Sequence, residues 1–496
     1  MENLKTLVKS LSAGEEKLIR HFYKLRGFGE YRKREQLFDA LIDDKIVTEA
    51  QLAKIAGYSV SDSSYHNIKS RLKSDIVCVL LMQESSCKFN TQYAQAMFSC
   101  RRSLLTGEIL LSRGVYQEGI SLLRKAAKIA EKYELYAERI ITEDALRNHY
   151  AGSNDVSELS AGTEVIDDNY RLLGQMMHSK KNLYRTVFPQ SEVFAEEAPS
   201  YGSEKMLEEL EMMGNSSESK RVIFYSKLSR LNLLHTSGEL SRAIECALDL
   251  LSDVEENPVI MSSANLGGIH LELANMYLRT LDFSQSELHA VKAAALFKKG
   301  MLNHMRATTL AFYSQVHSEQ FAQASKTLDQ ILSSRCLQEP NYELLKQRIH
   351  LVGTWYYFAL GNHSKATSLF KNCASLAKEK GSWNHGYGLM EIMMLIQKGA
   401  YDAALYKIDA FRKQVARVAR DADSIRVQLM LGILKHLARS NSDYCETAKI
   451  ASREIVQLID SSSGATWDPT GYEIVPFDQL VRLRAAGKAV NGVKAG

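Results

Sequence analysis

Residues 270–294, HLELANMYLRTLDFSQSELHAVKAA, decide the fold of this 496-residue chain. Apolar positions recur every three or four residues on both sides of a short break at Leu281 and Asp282, which is the period of two amphipathic helices. Ala274 in the first helix and Ser286 in the second are small enough to let the two helices approach closely. The stretch therefore predicts a helical hairpin.

The turn of this hairpin recurs six times along the chain. Each copy has a turn residue, one further residue, an apolar or aromatic residue, and a small residue three positions later. From Gly238 to Gly399 the copies are 43, 38, 42 and 38 residues apart, which is the length of one hairpin with its loops. A nearly constant spacing is typical of a stacked solenoid, whose units pack only on their neighbours. The turn residues and their small partners are Gly114 with Gly119, Gly238 with Ala243, Leu281 with Ser286, Glu319 with Ala324, Gly361 with Ala366, and Gly399 with Ala404.

Proline placement and charge narrow the class of protein. The chain has only 6 prolines, all outside the periodic runs, and alternating strand-like runs are hard to find, so we expect an all-α fold. The 62 basic and 58 acidic residues leave a formal net charge of +4, far from that of a chain that coats nucleic acid or an anionic membrane. Any electrostatic function must therefore be local.

Motifs for catalysis, cofactors and metals are missing from the sequence. There is no phosphate loop, dinucleotide fingerprint, paired-cysteine spacing or His-Glu-x-x-His motif. The 7 cysteines are scattered, and no run is long and apolar enough to predict a membrane span. We therefore expect a soluble cytoplasmic protein that is not an enzyme and needs no cofactor or metal.

The hairpins resemble those of the tetratricopeptide repeat superfamily, and the chain looks like a divergent bacterial member. The spacing of about 40 residues is longer than is usual in that superfamily. The resemblance implies a right-handed α-α superhelix with a concave groove that binds a protein or peptide. The match is best at Leu273, Ala274, Tyr277, Asp282, Phe283, Ala290 and Ala293, and good at Gly107, Leu110, Gly114, Tyr116, Gly119, Leu123 and Ala126.

The pattern divides the chain into five parts. Residues 1–92 form a helical N-terminal module without the repeat, and residues 93–189 form a first repeat lobe. A polar loop is expected from Gly152 to Glu164, between the helices of this lobe. Residues 190–219 are an acidic connection, with a short helix at Lys205 to Met213. Residues 220–458 form the main array, and residues 459–487 form a C-terminal capping segment, with insertion into the groove of the array as the alternative.

The predicted function is that of a non-enzymatic scaffold or adaptor, which binds a protein or peptide partner in its groove. Tyr277 and Tyr357 are the expected anchors, and the junction between the two lobes is a further candidate region. A self-associating scaffold is another interpretation. The groove candidates, taken from first-helix positions, are Asn265, His270, Tyr277, His350, Thr354 and Tyr357.

Two features of the N-terminal module have alternative interpretations. Basic residues cluster at Arg20, Lys24, Arg26, Arg32, Lys33 and Arg34, which indicates a solvated face, or a contact with phosphate or with the acidic residues 190–219 of the same chain. Residues 45–72 also resemble a helix-turn-helix, with Ala53 and Gly57 at the small positions of that motif. In that case the protein is a transcriptional regulator with a peptide-sensing array, and the DNA contacts are His66, Asn67, Lys69 and Arg71.

Overall fold

A computed structural model of the chain describes residues 2–26, 29–43, 48–82, 91–153, 155–187, 204–379, 381–416 and 422–487. Within these ranges the regular structure is helical, with 24 α-helices and no strand, which confirms the all-α prediction. No helix in these ranges has the length and apolar character needed to cross a membrane. The chain forms two compact units, Met1–Phe89 and Asn90–Gly496.

The first unit is a small helical bundle with its own apolar core. Leu37 and Phe38 of its third helix, Leu52 of its fourth and Tyr65 of its fifth are fully enclosed in that core. A buried guanidinium, that of Arg34, pairs with Asp75 at 2.6 Å. The helices of this unit are α1 Glu2–Lys9, α2 Ala13–Arg26, α3 Glu30–Ile42, α4 Glu49–Ile55 and α5 Ser63–Met82.

The second unit is a succession of helices in which neighbours in sequence pack together. Its first helices are α6 Gln92–Ser112, α7 Tyr116–Lys132, α8 Tyr136–Gly152, α9 Val156–Val187, α10 Glu204–Ser216, α11 Lys220–Ser237 and α12 Leu240–Glu256. They are followed by α13 Ser263–Arg279, α14 Phe283–Leu296, α15 Leu302–His317, α16 Phe321–Leu332, α17 Glu343–Ala359 and α18 His363–Phe370. The last are α19 Ser382–Gln397, α20 Tyr401–Val415, α21 Ala422–Arg439, α22 Tyr444–Ile450, α23 Ser452–Ile459 and α24 Phe477–Ala485.

All six predicted hairpin turns adopt the same backbone geometry. The turn residue has a positive φ in every copy, from 59° at Glu319 to 83° at Gly238. The next amide then donates back to a carbonyl of the preceding helix, as Asp282 N does to Tyr277 O at 2.9 Å. This bond satisfies a carbonyl that the end of the helix leaves without a partner. Two further turns, at Glu134 with φ 52° and Asn441 with φ 54°, share the geometry although they do not carry the sequence motif.

One predicted loop is wrong. Residues from Val156 onward, expected to be a loop up to Glu164, form the start of the 32-residue helix α9. The Asp155 carboxylate accepts the amide of Glu158 at 3.3 Å and so caps the new helix. Gly162 lies buried against α8. The stretch is polar because most of it faces solvent.

The acidic connection is described only in part. Residues 190–203 lie outside the described residues, whereas residues 204–216 form α10, which packs on α11. The short helix expected at Lys205 to Met213 is therefore present, extended by one residue at its start and three at its end.

The C-terminal segment, residues 464–487, packs on the array in two ways. Its helix α24 lies on α22 and α23, the last helices of the array. The extended stretch before α24 instead contacts helices much earlier in the chain, and its Tyr472 and Ile474 belong to the same apolar core as Trp355. The segment thus covers the last hairpin and also lies along the array.

Candidate functional site

One face of the first helices of successive hairpins carries the residues that make up the candidate site. Asn275, Tyr313 and Trp355 each stand six residues before the turn residue of their hairpin, at Leu281, Glu319 and Gly361. Arg306, Arg348 and Gly386 each stand thirteen residues before theirs. Seven residues are almost two full helical turns, so the two sets lie above one another on a single face, called here the first-helix face.

A groove with a cavity of about 290 Å³ lies on this face, between α13 and α19. Its walls come mainly from α13, α15 and α17, with Leu328 and Ile331 of α16 at its base. Most of the lining is apolar, which suits an apolar side chain of a bound molecule. The lining residues are Leu271, Glu272, Asn275, Met305, Arg306, Thr309, Leu310, Phe312, Tyr313, Leu328, Ile331, Leu345, Arg348, Ile349, Val352, Trp383 and Thr470.

Two guanidinium groups line the groove, and they differ in how they are held. Arg348 forms an ion pair with Glu379, and its guanidinium carbon lies 5.3 Å from the centre of the Trp383 ring. Arg306 is exposed, and among the described residues no carboxylate lies within 4.0 Å of it. Arg306 therefore gives the groove a positive charge without an ion-pair partner among the described residues, while the acidic lining residue Glu272 contacts His235 at 3.1 Å.

The C-terminal segment occupies the neighbouring part of the same face. Tyr313 donates its hydroxyl to the carbonyl of Gly471 at 2.9 Å, and the Nε2 atom of His317 lies 3.3 Å from the carbonyl oxygen of Pro469. The His317 ring also meets the indole of Trp467 edge-on, with ring centres 5.1 Å apart. Burial lowers the pKa of His317 to about 4, so the ring is neutral near pH 7 and Nε2 donates to the carbonyl.

Tyr472 fills a slot in this face that a glycine makes possible. A Cβ on Gly386 would lie 2.4 Å from Cγ of Tyr472, far inside contact distance. The Tyr472 ring packs on Trp355 with ring centres 5.8 Å apart, and its hydroxyl donates to Asp423 at 3.3 Å. Asp423 in turn pairs with Nδ1 of His385 at 2.5 Å. Burial and the Asp423 carboxylate together raise the pKa of Tyr472 well above its usual value.

The residue after Tyr472 forms the most enclosed ion pair of the described residues. Arg426 donates through Nε and Nη2 to the two carboxylate oxygens of Glu473, at 2.7 and 2.6 Å. The two side chains are only 3% and 5% exposed. Arg426 also donates to the carbonyl oxygens of Leu458 and Ala465, so its charge and its donors are satisfied.

The C-terminal segment is held on the array by the burial of its apolar side chains. Five of its apolar side chains, in addition to Tyr472, are at most 5% exposed. Each such side chain contributes about 1.5–3 kcal/mol when it leaves water. A competing ligand would have to displace all of them, so the groove next to Thr470 is the part of the face that stays open. The five are Ile474, Val475, Phe477, Leu480 and Val481.

Two of the predicted partner-binding residues lie in the seam between α13 and α14. His270 is 5% exposed, and its Nδ1 atom lies 2.9 Å from Nδ1 of His289. One ring donates and the other accepts, which requires at least one neutral ring, and burial lowers the pKa of His289 to about 4. Tyr277 stacks on the His289 ring with centres 5.6 Å apart. These side chains hold the hairpin together and do not line the groove.

Three further candidates lie on α17, turned away from the groove. His350 is bonded to the carbonyl of Lys346 through Nδ1 at 2.7 Å, and the fully buried Thr354 donates to the carbonyl of His350 at 2.8 Å. Tyr357 is 5% exposed, and the ammonium of Lys365 lies 4.9 Å from its ring centre. The Tyr357 hydroxyl is enclosed, without a hydrogen-bond partner among the described residues.

The phase of the helix explains why these five candidates do not line the groove. They stand four, seven or eleven residues before their turn residue, whereas most of the groove residues on α13, α15 and α17 stand six, nine, ten or thirteen before it. A shift of two residues rotates a side chain by roughly 200° about the helix axis, onto the face that packs against the second helix. The sixth candidate, Asn265, donates to the carbonyl of Ile260 and lines a separate cavity of about 140 Å³ with Thr91 and Arg221.

The basic cluster of the first unit is largely engaged within that unit. Arg20 pairs with Asp39 at 2.9 Å, and Arg26 donates to the hydroxyl of Tyr31. The Lys33 ammonium lies 4.5 Å from the ring centre of Tyr58, and Arg34 is the buried partner of Asp75. Lys24 and Arg32 are exposed.

The helix-turn-helix candidate corresponds to α4 and α5, and residues 44–47 lie outside the described residues. Lys69 pairs with Glu49 and Arg71 with Glu30, so both proposed DNA contacts have carboxylate partners. His66 and Asn67 are exposed. The structure gives this helix no free positive charge among its four proposed contacts.

The sequence-based prediction does not include the groove residues, because it selects candidates by their polar or aromatic type alone. A signal was present: counting backwards from each turn residue places Asn275, Tyr313 and Trp355 in one register. The chain matches no known protein-family model, no curated protein and no solved structure. The geometry of the first-helix face is therefore the basis on which a function is assigned.

Proposed function

We propose that this protein is a non-enzymatic helical-repeat protein of tetratricopeptide type, which binds a protein or peptide in a groove on its first-helix face. The stacked hairpins would form a right-handed superhelix with this face on its concave side. The proposal gives the protein the role of a scaffold or adaptor in the cytoplasm, where its scattered cysteines would stay reduced.

One observation carries the proposal: the first-helix face already binds an extended polypeptide, the C-terminal segment. That segment is held by hydrogen bonds from Tyr313 and His317 to its backbone carbonyls and by side chains seated in slots. Backbone hydrogen bonds with side-chain pockets are the usual means of recognising extended peptides. The open groove beside Thr470 continues the same face and is lined by the same helix positions.

A displayed library of random peptides, panned on the full chain, tests the proposal. We expect enriched peptides that bind the natural chain and lose binding to the Thr309→Trp variant, because an indole at this lining position fills the groove. The matched control is Lys326→Trp, at an exposed position of α16 that does not line the groove. Peptides that bind both variants alike, or no enrichment at all, would refute groove binding.

A further inference from the structure

The C-terminal segment shows what chemistry the first-helix face recognises. Two consecutive residues of this segment are both buried in the array: the aromatic ring of Tyr472 sits in an apolar slot, and the carboxylate of Glu473 pairs with a guanidinium. The guanidinium belongs to Arg426, on the first helix of the hairpin that follows the slot. An aromatic residue beside an acidic one is thus the unit that this face binds within the chain.

The open groove repeats both halves of this arrangement. Leu310, Ile349 and Val352 are among the apolar residues that line a space of about 290 Å³, large enough for an aromatic or branched side chain. Arg306 lines the same groove, is exposed, and has no carboxylate within 4.0 Å among the described residues. It stands at the helix position that Gly386 occupies in the Tyr472 slot, thirteen residues before the turn residue.

The open groove also adjoins the C-terminal segment directly. Thr470 of the C-terminal segment lines the groove, and Tyr313 lines it as well while it donates to the carbonyl of Gly471. A second extended peptide would therefore lie end to end with the C-terminal segment, on a face that is continuous with an interface already formed. Its carboxylate would supply the partner that Arg306 lacks, in the way that Glu473 serves Arg426.

We propose that the open groove binds an extended peptide segment in which an acidic residue stands next to a large aromatic or aliphatic residue. The apolar side chain fills the space lined by Leu310, Ile349 and Val352, and the acidic side chain pairs with Arg306. The inference rests on the proposed peptide-binding function and specifies its ligand.

The same displayed library, panned on the natural chain and on Arg306→Gln, tests this inference. Peptides retained by the natural chain should be enriched in an acidic residue next to an aromatic or aliphatic one. Peptides selected by Arg306→Gln should show no preference for an acidic residue but should keep the preference for an apolar one. The affinity of individual acidic peptides should be roughly tenfold to a hundredfold lower than for the natural chain, as expected for a lost charge-assisted hydrogen bond. The control Lys326→Gln removes an exposed charge away from the groove and should change neither preference.

The outcomes separate the two proposals. Peptides that are lost with Thr309→Trp but show no acidic preference, or that bind Arg306→Gln as tightly as the natural chain, would overturn the inference and leave peptide binding in the groove intact. Absence of any peptide that depends on Thr309 would overturn the proposed function itself. Arg306 is exposed, so its variant should fold normally, and circular dichroism on both variants verifies this.

Discussion

Replacement of Glu473 by alanine should release the C-terminal segment from the array. Its carboxylate accepts two hydrogen bonds from Arg426 and one from the amide of Phe477 at 2.6 Å. With Glu473→Ala, the guanidinium stays in a site where it is 3% exposed, with the carbonyls of Leu458 and Ala465 as acceptors and the Asp478 carboxylate 3.9 Å away. A buried charge thereby loses the carboxylate that accepts two of its hydrogen bonds.

The magnitude follows from the burial of this pair. Removing one partner of a buried ion pair typically costs about 3–5 kcal/mol. The cost falls on the C-terminal segment, which contains Glu473, and lowers the free energy of its local opening. Since 1.4 kcal/mol is a factor of ten, a loss of about 3 kcal/mol raises the open population roughly a hundredfold.

Hydrogen exchange followed by mass spectrometry measures this opening directly. Amides of residues 472–485 should exchange about a hundred times faster in Glu473→Ala than in the natural chain, while α13–α16 keep their protection. The matched control is Asp468→Asn, which changes an exposed acid of the same segment and retains an acceptor for the amide of Thr470. This control should alter stability by less than about 0.5 kcal/mol. Exchange in Glu473→Ala within a few-fold of the natural rate would refute the reasoning.

A second variant distinguishes the effect of the unpaired Arg426 charge from the effect of the packing lost with the Glu473 side chain. In the double variant Arg426→Leu with Glu473→Leu, both charges of this pair are removed while Asp478 keeps its partner Arg482, and such apolar replacements are often neutral or stabilising. We therefore expect slower exchange of residues 472–485 than in Glu473→Ala. Equal exchange rates would show that lost packing, and not the unpaired guanidinium, causes the release.

Four further changes have expected outcomes that the structure fixes. Gly386→Ala should destabilise the chain by about 1–3 kcal/mol in urea unfolding, because its Cβ would clash with Tyr472, whereas Gly268→Ala, with no atom within 4 Å, should be neutral or stabilising. Leu281→Gly should raise the free energy of unfolding by about 1 kcal/mol, because Leu281 has φ 64° and glycine adopts this conformation without cost. In unfolding titrations, the free energy of unfolding should be constant above pH 6.5 and should fall as the pH is lowered towards 4. The reason is that the pKa of His289 is about 4 in the folded chain and 6.5 in the unfolded chain, so protonation in this range favours unfolding. His289→Gln should make the free energy of unfolding depend less on pH. The full chain should not be retained on duplex DNA even at low salt, and retention that weakens as salt rises would instead favour the regulator.

Local sequence was sufficient for the hairpins because each turn is a local event. A residue with positive φ ends one helix, and the next amide returns to a carbonyl five residues back, as at Glu319, where Gln320 N donates to Gln315 O at 2.8 Å. The same reasoning failed from Val156 to Glu164, where a polar and mostly exposed stretch without an apolar period is the first part of the long helix α9.

The candidate site was harder to predict because it depends on helix phase. His270 and Asn275 both lie on α13, yet the first faces α14 and the second faces the groove. Residue type alone favours His270 over Asn275 as a binding residue, since an exposed polar ring is a common binding group. Only the position of the second helix shows which side of the first is already covered.

The sequence by itself determined the helical class of this protein and the places where its array turns, because periodicity and left-handed turn residues act within a few residues of chain. Tertiary structure alone decided that the stretch before α24 lies along the first-helix face, that Arg426 meets Glu473 across 47 residues of sequence, and that no carboxylate of the described residues lies within 4.0 Å of Arg306. Contacts between distant residues depend on which helix faces the fold brings together, and no local period encodes that choice.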